Sequence, residues 1–126
     1  MTISTKHFHP DTNPKLLCTC GHPLCDKRSV RQDVLNQVQL IRYDLGRPLK
    51  INLGGCCPYH ENEKHKKNPA DHQNGVAVSV PYKNGVELYE ILEAGFARGM
   101  TAFGVYPSFI HLSWRDCAEP VAWVRP

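Results

Sequence analysis

The stretch "VAVSVPYKNGVELYEILEAGF", residues 76–96, contains the patterns of a strand and of a helix in immediate succession. Its first five residues place a valine at every second position, which is the period of a β-strand. Asn84 and Glu87 then form a pair that is typical of a helix N-terminus. Apolar residues at helical spacing follow and end near Gly99; they are Leu88, Ile91, Leu92 and Phe96. The stretch therefore predicts a domain that contains both helix and strand.

Outward from this stretch, the sequence predicts one more helix and three more strands. Ser29 is followed three residues later by Gln32, as in a capping box, and apolar residues then recur at helical spacing. We expect a helix over about residues 29–45, which Gly46 would end. Alternating apolar residues predict strands over 49–53, 101–106 and 109–115.

The order of these elements predicts a small α+β domain, a small antiparallel sheet with two packed helices. We place this domain at residues 18–115. Residues 1–17 contain two prolines and no sustained periodicity, which indicates an extended N-terminal arm. Residues 116–126, again with two prolines, are predicted to be a C-terminal tail. The long loop of residues 54–75 is a candidate functional segment, because long loops in compact domains often are.

Composition and charge exclude several classes of protein. The 126 residues suggest one domain, and 41% of them are hydrophobic, which is enough for a modest core. A net charge of +3 is too mild to indicate a nucleic-acid partner. No apolar run approaches the roughly 20 residues that span a bilayer, so we expect no membrane partner. The N-terminus "MTISTKHFHP" has no signal-peptide core, which predicts synthesis in a cytoplasm.

Four of the six cysteines form a candidate structural site. The segment "CTCGHPLC" holds Cys18, Cys20 and Cys25 together with His22, and Cys57 follows the predicted strand at 49–53. Zinc prefers tetrahedral thiolate and imidazole ligands, so these cysteines are predicted to share a metal ion. A disulfide between the loop and Cys57 and free buried thiols are the alternatives, and the spacing alone does not decide among them.

Three blocks of sequence carry a likeness to a known family. They are "LGRPLKINLGGCCPYHE" at 45–61, "ADHQNGVAVSV" at 70–80 and "FGVYPSFIHLSWRD" at 103–116. In order and spacing they resemble the zinc D-alanyl-D-alanine carboxypeptidases and murein endopeptidases of the hedgehog-like peptidase fold, above all the short forms of bacteriophages and bacteria. The resemblance covers roughly residues 17–115 and implies a hedgehog-like, DD-peptidase-like fold.

The resemblance implies a zinc site in which one ligand has changed. A catalytic zinc needs three protein ligands and one open position for water. His72 and His111 match the family's two histidines, but Ser79 stands at its aspartate. A neutral hydroxyl is a poor zinc ligand, so the resemblance implies a remnant zinc site at the two histidines. His60 or His65 in the long loop, or a thiol, is a candidate third ligand. The alternative, which we favour, is that the two histidines are hydrogen-bonded in a former pocket without a metal ion.

Three further site positions depart from the family in the same direction. Cys56 stands at the arginine that would hold the substrate's terminal carboxylate. Ala70 stands at the motif serine, and Ser113 stands at the aspartate that follows the late histidine. Together with Ser79, these changes remove the charged groups on which amide hydrolysis by the family depends. We therefore expect no catalytic residues, and zinc is the one cofactor that the sequence suggests.

These observations predict a pseudoenzyme that keeps the peptidase scaffold. The likeness to phage-type members implies a structural component of a bacteriophage virion, such as a tail, neck or decoration subunit, made in the host cytoplasm. Its partners would be other virion proteins or copies of itself. Two alternatives stay open: an active zinc-dependent peptidoglycan carboxypeptidase or endopeptidase, and a module that binds peptidoglycan without cleaving it.

Overall fold

Two helices pack on a four-stranded sheet in residues 2–126, the part of the chain that a computed structural model describes; Met1 of the predicted arm lies outside it. The sequence prediction of a small α+β domain is confirmed. The elements in chain order are a 3₁₀ turn at Pro14–Leu16, α1 at Gln32–Leu45, α2 at Asp71–Asn74, β1 at Ala77–Pro81, α3 at Gly85–Ala97, β2 at Ala102–Val105, β3 at Phe109–Ser113 and β4 at Val121–Val124.

The sheet is mixed, which corrects the prediction of an antiparallel sheet. Its strand order is β1-β3-β2-β4, and β3 runs antiparallel to both of its neighbours. β4, however, pairs with β2 in parallel, with Trp123 opposite Gly104. After β3 the chain reverses direction, and residues of the tail pair with β2 as strand β4. Four residues bounded by prolines gave too short an alternating pattern to predict this strand.

The two faces of the sheet have different roles. Alternate residues of β1 and β3 are fully buried against the helices, and these are Val78, Val80, Ile110 and Leu112. Side chains between them point to the opposite face, because successive residues of a strand alternate. That opposite face carries Ser79, His111 and Gly104, with Ser79 paired to His111 and His111 to Gly104. One strand pattern thus supplies both the core and the residues of the site.

The strand predicted at 49–53 does not form. This segment meets β1 only at an isolated bridge between Leu53 and Ser79. The chain then leaves the edge of β1 to pass between other backbone segments at Gly54 and Gly55. A Cβ atom at Gly55 would overlap the backbone of Arg28, so only glycine fits this passage. The apolar alternation at 49–53 is present in the sequence, but the chain lacks room to continue the pairing with β1 beyond Leu53.

The capping box predicted at the start of α1 is also wrong. The helix begins at Gln32 after Arg31, and no side chain caps it. Ser29 instead lies in a bridge with Leu17, which keeps this stretch extended. The Gln32 side chain donates to the carbonyl of Ser4 rather than folding back on the helix terminus. Contacts with the N-terminal arm therefore override the local capping pattern.

The cap predicted for α3 is confirmed. Asn84 is the N-cap residue, and its Oδ1 accepts a hydrogen bond of 2.9 Å from the backbone N–H of Glu87. Glu87 Oε1 in turn accepts from the N–H of Lys83, at 3.0 Å. Two backbone donors at the helix start are satisfied in this way, which is the physical purpose of such a pair.

The terminal segments pack onto the domain. The arm contributes three buried side chains to the core, Ile3, Phe8 and Leu16. The tail contributes β4 as an edge strand. Within residues 2–126, no helix has the length and apolar character needed to cross a membrane.

Candidate functional site

A cavity of about 360 Å³ opens on the face of the sheet that turns away from α1 and α3. We call it the histidine cavity, after His72 and His111 in its walls. Ser79 of β1 lines it, and the long loop contributes Glu63 and Lys66. Trp123 of the tail lines the cavity as well, so segments far apart in sequence build it together.

The two histidines that the family motif singled out lie side by side. Their ring centroids are 4.9 Å apart, and the rings meet edge to face. His72 Nδ1 lies 2.7 Å from the carbonyl oxygen of Gly54, so this nitrogen carries the proton and donates it. Nε2 of His72 then presents its lone pair to the Ser79 hydroxyl at 3.4 Å. Burial, and next the electrostatic effect of the adjacent His111, lower the pKa of His72 to about 4.

An aspartate that the sequence reading missed organises the other half of the site. His111 Nε2 donates to Asp71 Oδ2 at 2.9 Å, and Arg115 donates to the same oxygen through Nη2 at 2.6 Å and Nε at 3.1 Å. Burial alone would raise the pKa of Asp71, but these hydrogen bonds outweigh it and hold the pKa well below its usual range. The Oδ2 atom of this carboxylate, beside the histidines, is therefore already held by three hydrogen bonds.

The sequence contains one signal that indicates where Arg115 lies relative to His111. Alternation places His111 and Ser113 toward one face of β3, and Arg115 follows two residues after the strand ends. Nothing in the sequence indicated that Asp71, which is 44 residues away, would be the partner of Arg115. The ion pair depends on the fold and not on any local pattern.

The remaining motif positions differ in how they relate to the cavity. Ala70 lines it and offers no polar atom, whereas Ser79 lines it with a hydroxyl. Ser113 is fully buried, and its Oγ accepts from the N–H of Arg115 at 3.1 Å. Cys56 is also fully buried, and burial followed by the charge of Glu63 raises the pKa of its thiol to about 12. Neither Ser113 nor Cys56 is among the residues that line the cavity.

In the part of the chain that the structure describes, no third metal ligand reaches the histidine pair. His60 and His65, the candidates in the long loop, do not line the cavity. Asp71 is bound to Arg115, and Glu63 is bound to Lys66 at 2.8 Å and to Gln73 at 3.1 Å. Within residues 2–126, the histidine pair belongs to no group of three His, Cys, Asp or Glu side chains close enough to share an ion.

Aromatic rings form the rim of the cavity. Tyr106 and Phe109 stack with their centroids 4.4 Å apart. The Trp123 indole lies 5.4 Å from the His111 ring and carries the Arg115 guanidinium above it at 5.1 Å. Because a Cβ at Gly104 would overlap this indole, the glycine on β2 is what allows Trp123 to lie across the sheet. The tail is thus an integral wall of the cavity.

The second candidate site is the group of Cys18, Cys20, Cys25 and Cys57, which we call the cysteine cluster. Its four sulfur atoms all lie within 4.8 Å of one another, so it can hold a metal ion. Cys18 and Cys57 are buried, and Cys20 and Cys25 are half-buried. All four are free thiols, with Sγ of Cys20 and Cys57 3.5 Å apart. His22 stacks on Tyr59 instead of joining the cluster.

Comparison with known proteins adds no family assignment: no family model matches the chain, and no curated protein matches it. The resemblance to the zinc DD-peptidases therefore stays a prediction from the sequence motifs.

Proposed function

We propose that this chain is a catalytically inactive, DD-peptidase-like protein that serves as a structural component of a bacteriophage particle. The observation that carries the proposal is the composition of the histidine cavity. His72 and His111 converge there as a metal-binding pair would, while the hydroxyl of Ser79 occupies the position from which a carboxylate would complete the ligand set. This composition supports a former zinc site that has no charged third ligand.

Both carboxylates that line the same cavity are held in ion pairs. A zinc peptidase needs a positioned acid or base beside the metal-bound water. Asp71 is held by His111 and Arg115, and Glu63 is held by Lys66 and Gln73. Freeing either carboxylate would break charge-assisted hydrogen bonds, each of which contributes about 1.5–3 kcal/mol. This arrangement supports an inactive protein.

Zinc has a structural role in this proposal. Two imidazoles bind the ion weakly without a third ligand, whereas four converging thiols match its preferred set. We therefore assign zinc to the cysteine cluster and none to the histidine cavity.

A structural role is supported by the outer face of α3. Val86, Tyr89 and Phe96 are exposed by 69%, 68% and 58%, and their spacing places them on one side of the helix, where the exposed Glu93 lies among them. An exposed apolar strip favours contact with another protein surface. We propose a second copy of this chain as that surface, in keeping with a subunit that assembles with itself.

A second function is favoured by the cavity itself. It is open, has an aromatic rim and contains several polar groups, which is the usual composition of a ligand pocket. A module that binds peptidoglycan without cleaving it would use this cavity and would need no zinc there.

Incubation with purified sacculi separates these functions from an active enzyme. We expect no release of D-alanine or of cross-linked peptides, with or without added zinc. The signal should equal that of a His72→Ala/His111→Ala variant. Co-sedimentation with the sacculi that the double variant loses would favour the binding module. Cleavage that a chelator abolishes would overturn the proposal and identify an active metallopeptidase.

Assembly is tested by light scattering on the purified protein. We expect an oligomer whose dissociation is promoted by Tyr89→Ser/Phe96→Ser, because the variant removes apolar area from the strip. Tyr43→Ser is the matched control, since Tyr43 is an exposed tyrosine of α1 outside the strip. A monomer at every concentration would count against self-assembly.

A further inference from the structure

We propose that the cysteine cluster is a closed, four-thiolate zinc site whose ion links the loop of residues 18–25 to the segment that holds His72 in the histidine cavity. The inference deepens the proposed structural role of zinc and rests on it. It assigns a position to the ion and a mechanical consequence to its binding.

The sulfur positions match a tetrahedral zinc site. Zinc–thiolate bonds of about 2.3 Å place the four sulfur atoms of a tetrahedron about 3.8 Å apart. The sulfurs here lie within 4.8 Å of one another, and those of Cys20 and Cys57 are 3.5 Å apart. Small side-chain rotations therefore suffice to bind the ion. Four protein ligands leave no open position for water, so the site is structural and not catalytic.

Groups around the cluster suit a negatively charged metal site. Four thiolates around one zinc ion carry a net charge of −2, which needs donors and cations nearby. The N–H of Lys27 donates to Cys25 Sγ at 3.4 Å, from a left-handed backbone conformation with φ of 54°. The Arg28 carbonyl accepts a hydrogen bond of 2.9 Å from the N–H of Cys18, and the Arg28 guanidinium pairs with Asp26. Such outer contacts orient the ligands of a metal and tune its affinity.

A metal cross-link at the cysteine cluster would stabilise two irregular segments of the chain. Residues 17–31 and 46–70 contain no helix and no strand beyond isolated bridges. Irregular segments of this length bury little apolar surface and gain most from a metal or disulfide staple. The cluster joins one segment to the other, since three of its cysteines lie in the first and Cys57 lies in the second.

The second segment is also the one that positions His72. The Gly54 carbonyl accepts from His72 Nδ1 at 2.7 Å, and the N–H of Cys56 donates to the His72 carbonyl at 3.1 Å. Cys57, the next residue, would be a zinc ligand. Fixing Cys57 therefore fixes the backbone that carries both contacts to the cavity.

Metal analysis of the purified protein tests the site. We expect one zinc per chain, lost in Cys20→Ser/Cys57→Ser and retained in Cys117→Ser, a cysteine outside the cluster, and in His72→Ala/His111→Ala. Cobalt in place of zinc should give the charge-transfer and ligand-field bands of a tetrahedral thiolate complex. Zinc lost with the histidines instead, or a Cys20–Cys57 disulfide without metal, would overturn the assignment.

Hydrogen exchange on the natural protein, with and without a chelator, tests the link. We expect amides of residues 54–57 and 72–75 to exchange more than about tenfold faster without zinc, while the β2–β3 hairpin changes little. Loss of protection throughout the chain that added zinc restores would also support the link, since the whole fold would then depend on the ion. Zinc that binds and leaves residues 54–57 unaffected would refute the link and leave the site standing.

Discussion

His72 shows how one hydrogen bond and burial fix the chemistry of a side chain. Its Nδ1 donates to the Gly54 carbonyl, so the neutral ring keeps a single orientation and a single tautomer. The side chain is buried beside His111, and both effects of this environment disfavour a positive charge on it. At neutral pH the ring is therefore an uncharged acceptor that faces Ser79.

This environment predicts a loss of stability in acid. The pKa of His72 is lowered from 6.5 to about 4, so the native state binds its proton less readily than the unfolded chain does. The stabilisation is fully present above pH 6.5 and is lost as the pH falls toward 4. At about pH 5 we expect His72 to account for about 2 kcal/mol of lost unfolding free energy.

Urea unfolding of the natural protein and of His72→Gln, at neutral pH and at about pH 5, measures this loss. The glutamine variant should lose about 2 kcal/mol less on acidification. Zinc release in acid affects both proteins and cancels in the difference. His65→Gln is the control, because His65 is exposed. Equal losses in the natural protein and His72→Gln would show that His72 is not the titrating group.

At the scale of elements, the sequence predicts best where local signals agree with the tertiary contacts. For α3 the cap at Asn84 and the helical period point to the same structure, and the helix forms as expected. For residues 49–53 the alternation was correct, yet tight backbone passage at Gly54 and Gly55 ended the pairing. For β4 the local signal was too short. Local patterns therefore predict an element only where the neighbouring chain leaves room for it.

The two capping pairs provide a direct comparison of a formed cap with an absent one. Asn84→Ala removes the hydrogen bond to the Glu87 amide, so we expect it to cost about 1 kcal/mol of unfolding free energy. Ser29→Ala removes a hydroxyl that caps no helix, so we expect a change below about 0.5 kcal/mol. Urea unfolding measures both values. Equal costs would mean that the start of α1 depends on Ser29 after all.

At the scale of the whole molecule, the site combines what motifs reveal with what only the fold provides. The motifs placed His72 and His111 together, and the cysteines of one short loop together with Cys57. The pairing of Asp71 with Arg115 and the closure of the cavity by Trp123 depend on contacts between distant segments. Charged pairs of this kind have no sequence period, so only the three-dimensional structure reveals them.

The last prediction tests the proposal that the histidine cavity is a former zinc site without its third ligand. Ser79 lies opposite His111 in the strand pairing, and its hydroxyl is 3.4 Å from His72 Nε2. In Ser79→Asp, a carboxylate would therefore join two imidazoles and complete a three-ligand zinc site with an open position. Zinc binding would displace the hydrogen bond from His111 to Asp71, which costs about 1.5–3 kcal/mol. Complete protein zinc sites gain on the order of 10 kcal/mol, so binding should prevail.

We expect Ser79→Asp to bind one zinc ion more per chain than the natural protein, measured by metal analysis after dialysis. Zinc should also raise its unfolding midpoint more than that of the natural protein, because the introduced carboxylate would be a buried charge without the ion. Ser79→Asn is the matched control, since it has nearly the same shape without the charge, and it should gain no zinc. Adding His72→Ala to Ser79→Asp should abolish the gain. If Ser79→Asp binds no additional zinc, the two histidines are not the remnant of a metal site, and the likeness to the zinc peptidases loses its chemical basis.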